Sequence, residues 1–255
     1  MELLEKPIGG DHVDARLDAL AVRYASAGSA VISVLNIAGG QTEGLLDRLP
    51  KGLRENLDAG TEQALRLAMK LAETSRGVIG DQPGWLTKAM TTAMGAAGGF
   101  GGLPSAMAEL PLTTTVLLHG IQSVAVEHGF DPAEKAVQFD CIQVFAAAGP
   151  LENDDGSDIA FLATRMVVTG PALQALIARV APRLAVVLGQ KLAAQTVPVL
   201  GAVAGAATNY AYANYYREMA QVHFGLRRLA IEADRDHPEL VEALRKRLQV
   251  PDKKD

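Results

Sequence analysis

Residues 201–226, GAVAGAATNYAYANYYREMAQVHFGL, set Gly201, Gly205, Thr208, Tyr212, Tyr215, Met219 and Leu226 at intervals of three, four and seven. That spacing winds a single stripe down a helix, because 3.6 residues complete a turn. Thr196 is placed to cap the segment and Pro198 to sit in its first turn. One long helix is therefore predicted to run to about Ala233, with a bend at Gly225. Small residues open the stripe, ahead of its tyrosines, which suits helices whose backbones approach closely.

Helical spacing extends outward from this segment in both directions. Beyond it, Leu240, Val241, Leu244 and Leu248 give an amphipathic helix from Pro238 to Leu248. Before it, helices are predicted near 171–188 and 159–168. Another runs from an Asp131 cap and Pro132 to about Ala148, with Gly129 closing the segment 105–127. Further upstream, Trp85–Ala97 reads as helix, as do a span from about Leu53 to Thr74 and a short one at 45–49 stopped by Pro50. The first runs from Asp11, as its cap, towards Leu35 and ends at Gly39-Gly40. No Asn-Gly hairpin and no alternating strand of useful length occurs. The predicted fold is all-α: a compact multi-helix single domain with glycine-rich helix–helix contacts. Its parts are an N-terminal helical region (1–52), a helical core (53–233), and a C-terminal amphipathic helix and tail (234–255).

Composition agrees. The chain has 255 residues, 49% hydrophobic, 21% charged and only 5% aromatic, with 25 glycines. That much apolar surface excludes a disordered chain. A net charge of −5 and a pI near 5.6 argue against nucleic acid as a partner. Cys141, the one cysteine, permits neither an internal disulfide nor a cysteine metal cage, and reads as a buried inert thiol. Mean hydropathy is positive, at +0.12. The charge-free stretches 24–42, 89–108 and 192–216 are each broken by Gly, Pro, Ser or Asn, so they read as buried helices rather than spans. The acidic N-terminus lacks the basic start of a signal peptide, which points to the cytoplasm, with peripheral contact at the inner face of a membrane compatible.

Motifs that would name a reaction fail on inspection. The glycines 95–102 run into Leu103-Pro104 where a phosphate loop needs Lys and Ser or Thr. The acidic run 152–156 places leucines where a calcium loop needs carboxylates. No two histidines have zinc-protease spacing, so no metal site and no cofactor is expected. His119 lies inside an apolar segment ten residues after Glu109, on roughly the opposite side of a helix. It reads as a core residue before it reads as a base. His223 reads as a rim residue. The tyrosines at 210, 212, 215 and 216 form either a belt at a lipid interface or cavity, or the wet edge of an ordinary core.

Four segments together resemble the EcsC family. They are Gly98-Gly99-Phe100-Gly101-Gly102-Leu103-Pro104, then Ala108-Glu109-Leu110-Pro111, then His128-Gly129-Phe130-Asp131, and finally 197–209, VPVLGAVAGAATN. Ser105 stands where the family usually has glycine, and His128 where tyrosine is common. The resemblance covers roughly Leu53 to Leu229. It implies a cytoplasmic or membrane-associated accessory protein, with no reaction and no catalytic residue to carry over. Glu109 and Asn209 match the family's polar positions within apolar segments. A buried carboxylate such as Glu109 needs a partner, because ionised groups are costly to bury alone.

The expected function is therefore that of a non-catalytic accessory or binding protein, resting on a membrane surface or holding a lipid-like apolar ligand. Glu109, Asn209, His119, Tyr212 and Phe100 are the candidate ligand-binding residues. One alternative is a hydrolase acting on a lipid-like substrate through Glu109 and His119. Another is a structural partner of a membrane transporter.

Overall fold

The computed structural model describes residues 7–29, 49–75, 110–145, 170–195 and 201–249, together with positions 33, 47 and 162. Its elements are α1 (Gly10–Ala27), α2 (Lys51–Glu55), α3 (Leu57–Ser75), α4 (Leu110–Glu127), α5 (Lys135–Val144), α6 (Gly170–Gln195), α7 (Gly201–Ala233) and α8 (His237–Leu248). The fold is all-α, and among the described residues there is no strand.

The long helix α7 is the organising element. It packs against α1, α4, α5, α6 and α8, while α3 packs against α4 and α6. The part of its predicted stripe whose burial is described, Tyr212, Tyr215, Met219 and Leu226, is buried. The helix passes through Gly225 as one element, and glycine serves close approach there. A Cβ at that position would lie 3.0 Å from Leu20 Cδ2 on α1. Helix α1 runs antiparallel to α7. Leu20 crosses at Gly225, Arg23 bonds Glu218, and the Ile8 amide donates to the Glu232 carbonyl at 3.1 Å.

Turn chemistry sets the remaining directions. Gly129, at φ +78°, ends α4. The Phe130 amide donates to the Ala125 carbonyl and the Gly129 amide to that of Val126, the paired closure of a Schellman motif. Asp234, at φ +49°, closes α7 with the same pair of bonds, from Arg235 to Ala230 and from Asp234 to Ile231. The sharp turn returns α8 onto α1, where Arg247 donates to Asp18 and to Asp14, each at 2.6 Å.

Several boundaries differ from those read in sequence. Helix α1 starts one residue before Asp11, because the Gly9 carbonyl accepts both the His12 and Val13 amides. Asp11 instead sits in the first turn, where a carboxylate favours the positive end of the helix dipole. The same helix closes at Ala27, and most of its predicted continuation towards Leu35 lies outside the described residues. At this end the Ser26 and Ser29 hydroxyls donate to backbone carbonyls, which competes with continued helix. Asn56 splits the span predicted from Leu53 into α2 and α3, its amide donating to the Gly52 carbonyl at 2.7 Å. Asp131 accepts from the Ala133 amide at 2.8 Å, a local turn that delays α5 to Lys135. Helix α6 continues past Leu188 to Gln195 with Pro182 inside it. The segments read as 85–97 and 98–104, and most of 159–168, lie outside the described residues.

Candidate functional site

Helix α5 is buried on every side: each residue from Val137 to Val144 is shielded from solvent, Asp140 among them. A carboxylate there needs a cation, since burial of an isolated charge costs several kcal/mol. Helix α7 supplies one. His223 and Arg227 are one turn apart on the face turned to α5. Arg227 Nη1 bonds Asp140 Oδ2, and His223 Nε2 lies 3.5 Å from Asp140 Oδ1. The left-handed turn at Gly129 delivers Phe130 beneath the guanidinium, 4.4 Å from ring centroid to the Arg227 Cζ. Phe224 completes the seam, with its ring 5.7 Å from Phe130 and 5.1 Å from His223.

A second polar group ties the end of α4 to α7. Arg217 Nη2 donates to both oxygens of Glu127, at 2.8 and 3.1 Å. Gln221 donates to Glu127 at 2.7 Å, and its Oε1 lies 2.8 Å from His128 Nε2. Unlike this exposed network, the Asp140 group is sealed: Asp140 is 8% exposed and His223 1%. An Asp–His pair has the parts for proton transfer, but here a guanidinium occupies the carboxylate and apolar rings close the approach. The arrangement locks α5 to α7.

The candidate residues fall in different places. Asn209 and Tyr212 come together, one turn apart on the buried face of α7. Tyr212 carries a hydroxyl with no hydrogen-bond partner among the described residues, and burial pushes its phenol well above the ordinary pKa. His119 is half-buried on α4, a helix that packs against α7, and its carbonyl accepts from Ser123 at 2.9 Å. Glu109 and Phe100 lie outside the described residues. The tyrosine belt is mostly core: Tyr212, Tyr215 and Tyr216 are buried, with Tyr216 edge-on to Phe145 at 5.0 Å, and Tyr210 alone is exposed. His223 is a core residue, not a rim residue, because α5 covers the side of α7 on which it stands. Cys141 is buried as expected. Among the described residues no group of three or more His, Cys, Asp or Glu is placed to hold a metal ion.

Sequence reading missed Asp140 and Arg227. The available signal was Asp140 itself, the one charge in the run 136–148, AVQFDCIQVFAAA. Such a lone carboxylate in an apolar helix demands a cation elsewhere.

Tyr212→Phe tests the unpartnered hydroxyl. Removing a buried polar atom that has no partner is expected to stabilise the fold by about 1 kcal/mol. The urea midpoint should rise with an unchanged slope. A lower midpoint would show that the hydroxyl makes a bond the protein needs.

Compared with known proteins, the chain matches no curated protein and no solved structure. The EcsC protein family matches residues 81–229, more than half of the chain and the part that contains the α5–α7 seam. The chain belongs to the EcsC protein family.

Proposed function

We propose that this protein is a non-catalytic accessory protein that associates peripherally with an anionic membrane. One observation carries the reading. Residues 171–189 of α6 form a helix long and apolar enough to cross a membrane, yet only 56% of that window is buried in the fold. The inner side of α6 packs on α3, α5 and α7, so its engagement with the rest of the domain supports lying on a bilayer over passing through one. The charged seam at Asp140 supports binding over chemistry, since its groups are committed to each other.

The affinity this implies is modest. A cation near an anionic surface contributes about 1 kcal/mol, so a pair of them would give on the order of 2 kcal/mol before any apolar contribution. Binding should be reversible and should weaken with salt. Flotation with phosphatidylcholine vesicles containing roughly one-third phosphatidylglycerol is the test. The protein is expected to float with these vesicles at low salt and to remain in solution with phosphatidylcholine alone. Protein that stays in solution with both would sink the reading.

A further inference from the structure

We propose that the outer face of α1 is a self-association surface, on which a second copy of this chain lays its own α1 in parallel as a short two-stranded coiled coil. His12, Ala15, Ala19, Val22 and Ser26 are all exposed and recur at alternating intervals of three and four. At 100° per residue they fall within an arc of about 80° along about 21 Å of helix. The buried Val13, Leu17 and Tyr24 lie on the opposite side. This is the a/d spacing of a coiled-coil seam, held over two heptads. Val22, at 69%, is the most exposed large apolar side chain among the described residues.

Charge complementarity selects a second copy and sets its direction. Asp11 and Asp18 stand at g positions along one side of the seam, and Arg16 and Arg23 at e positions along the other. In a parallel pair each g residue meets the residue five positions on in the other chain. Asp11 therefore faces Arg16 of the partner subunit, and Asp18 faces Arg23 of the partner subunit. Two-fold symmetry makes each pairing twice. An antiparallel pair would instead set acid against acid and arginine against arginine.

The intrachain contacts of these four residues leave room for the pairing. Asp11 forms no ion pair among the described residues. Arg16 reaches Glu232 at 3.6 Å, a carboxylate that Arg228 already holds at 2.7 Å. Asp18 and Arg23 are bonded on the sides turned to α8 and α7: Asp18 accepts from Arg247 through Oδ1, and Arg23 donates to Glu218 through Nη1. Each keeps a second oxygen or nitrogen for the other chain. A single helix pair falls at the low end of interface sizes, so a dissociation constant on the order of 10–100 µM is expected.

Sedimentation equilibrium of the full chain without lipid, from about 5 to 500 µM, is the test. The wild type is expected to dimerise. Asp11→Lys, which breaks no ion pair within the chain, should weaken the dimer about ten-fold, and so should Arg16→Glu. Combining the two exchanges the charges and should restore dimerisation to within about three-fold of wild type, which damage to the fold would not do. Independently, mild oxidation of Val22→Cys should link two copies through residue 22, while Gln63→Cys, exposed on α3, should not. The native Cys141 is buried and does not compete. A monomer over the whole range, a double variant no tighter than either single one, or no more disulfide at 22 than at 63 overturns the proposal. An equal mixture of Ala15→Cys and Val22→Cys that links only between the two variants reports an antiparallel pair, and overturns it as well. Each of these outcomes leaves the membrane reading standing, because no lipid is present.

Discussion

Arg227→Met is expected to cost about 3–5 kcal/mol of folding stability, the range for removing one partner of a buried ion pair. Asp140 and Arg227 side chains are 12% and 16% exposed, so solvent screens the loss little. Methionine keeps apolar bulk above Phe130 but leaves the carboxylate facing only a histidine at 3.5 Å. In a chain of this size each kcal/mol lowers Tm by about 2–4 °C, so a fall of roughly 6–20 °C follows. Converting both partners, Asp140→Leu with Arg227→Met, should restore most of the loss, since apolar replacement of a buried pair is often neutral or better. Thermal and urea unfolding of the two variants decide the matter. A single-variant loss below about 1 kcal/mol would mean that the pair is not the lock described.

Phe224→Ala should be comparably severe, at about 3–5 kcal/mol, the usual range for deleting a core phenylalanine. The ring is fully buried and touches both Phe130 and His223, so its loss opens space along the whole α5–α7 seam. It shares Phe130 with Arg227, so the two substitutions should not add; a coupling of about 0.5–3 kcal/mol is expected from the double variant. Ile231→Ala on the same helix is 58% exposed and should stay within about 0.5 kcal/mol of wild type. Equal losses at 224 and 231 in urea titrations would contradict the seam as the stabilising contact.

Local chemistry made much of this fold legible. The stripe on α7 is a property of one helix, and the Gly129 turn and the Pro238 start are properties of a few adjacent residues. The seam is different. Asp140 and Arg227 lie 87 positions apart, and nothing near either one names the other. His223 was misread for the same reason: helical spacing shows which residues share a face, but not which neighbour covers it. The apolar length of α6 does not stand out in the sequence because Arg179 and Arg183 interrupt its run. Of the ligand-binding candidates, Asn209 and Tyr212 prove neighbours by the i, i+3 rule alone. Glu109 and Phe100 fall outside the described residues and carry no structural account.

The contact between Arg247 and Asp14 spans 233 positions of sequence, an unusual reach for a chain whose helices can each form locally. Closing a loop of that length costs roughly 5 kcal/mol in chain entropy. Most of it is already offset when α1 docks on α7, because Ile8 then bonds Glu232, just before α8 begins. The last helix consequently finds the first at short range and adds its contacts at little further entropic cost. Helices α1 and α8 thus form one cooperative unit on α7, in which α8 is held by both α1 and α7, and a protein deprived of α1 would lose part of its hold on α8.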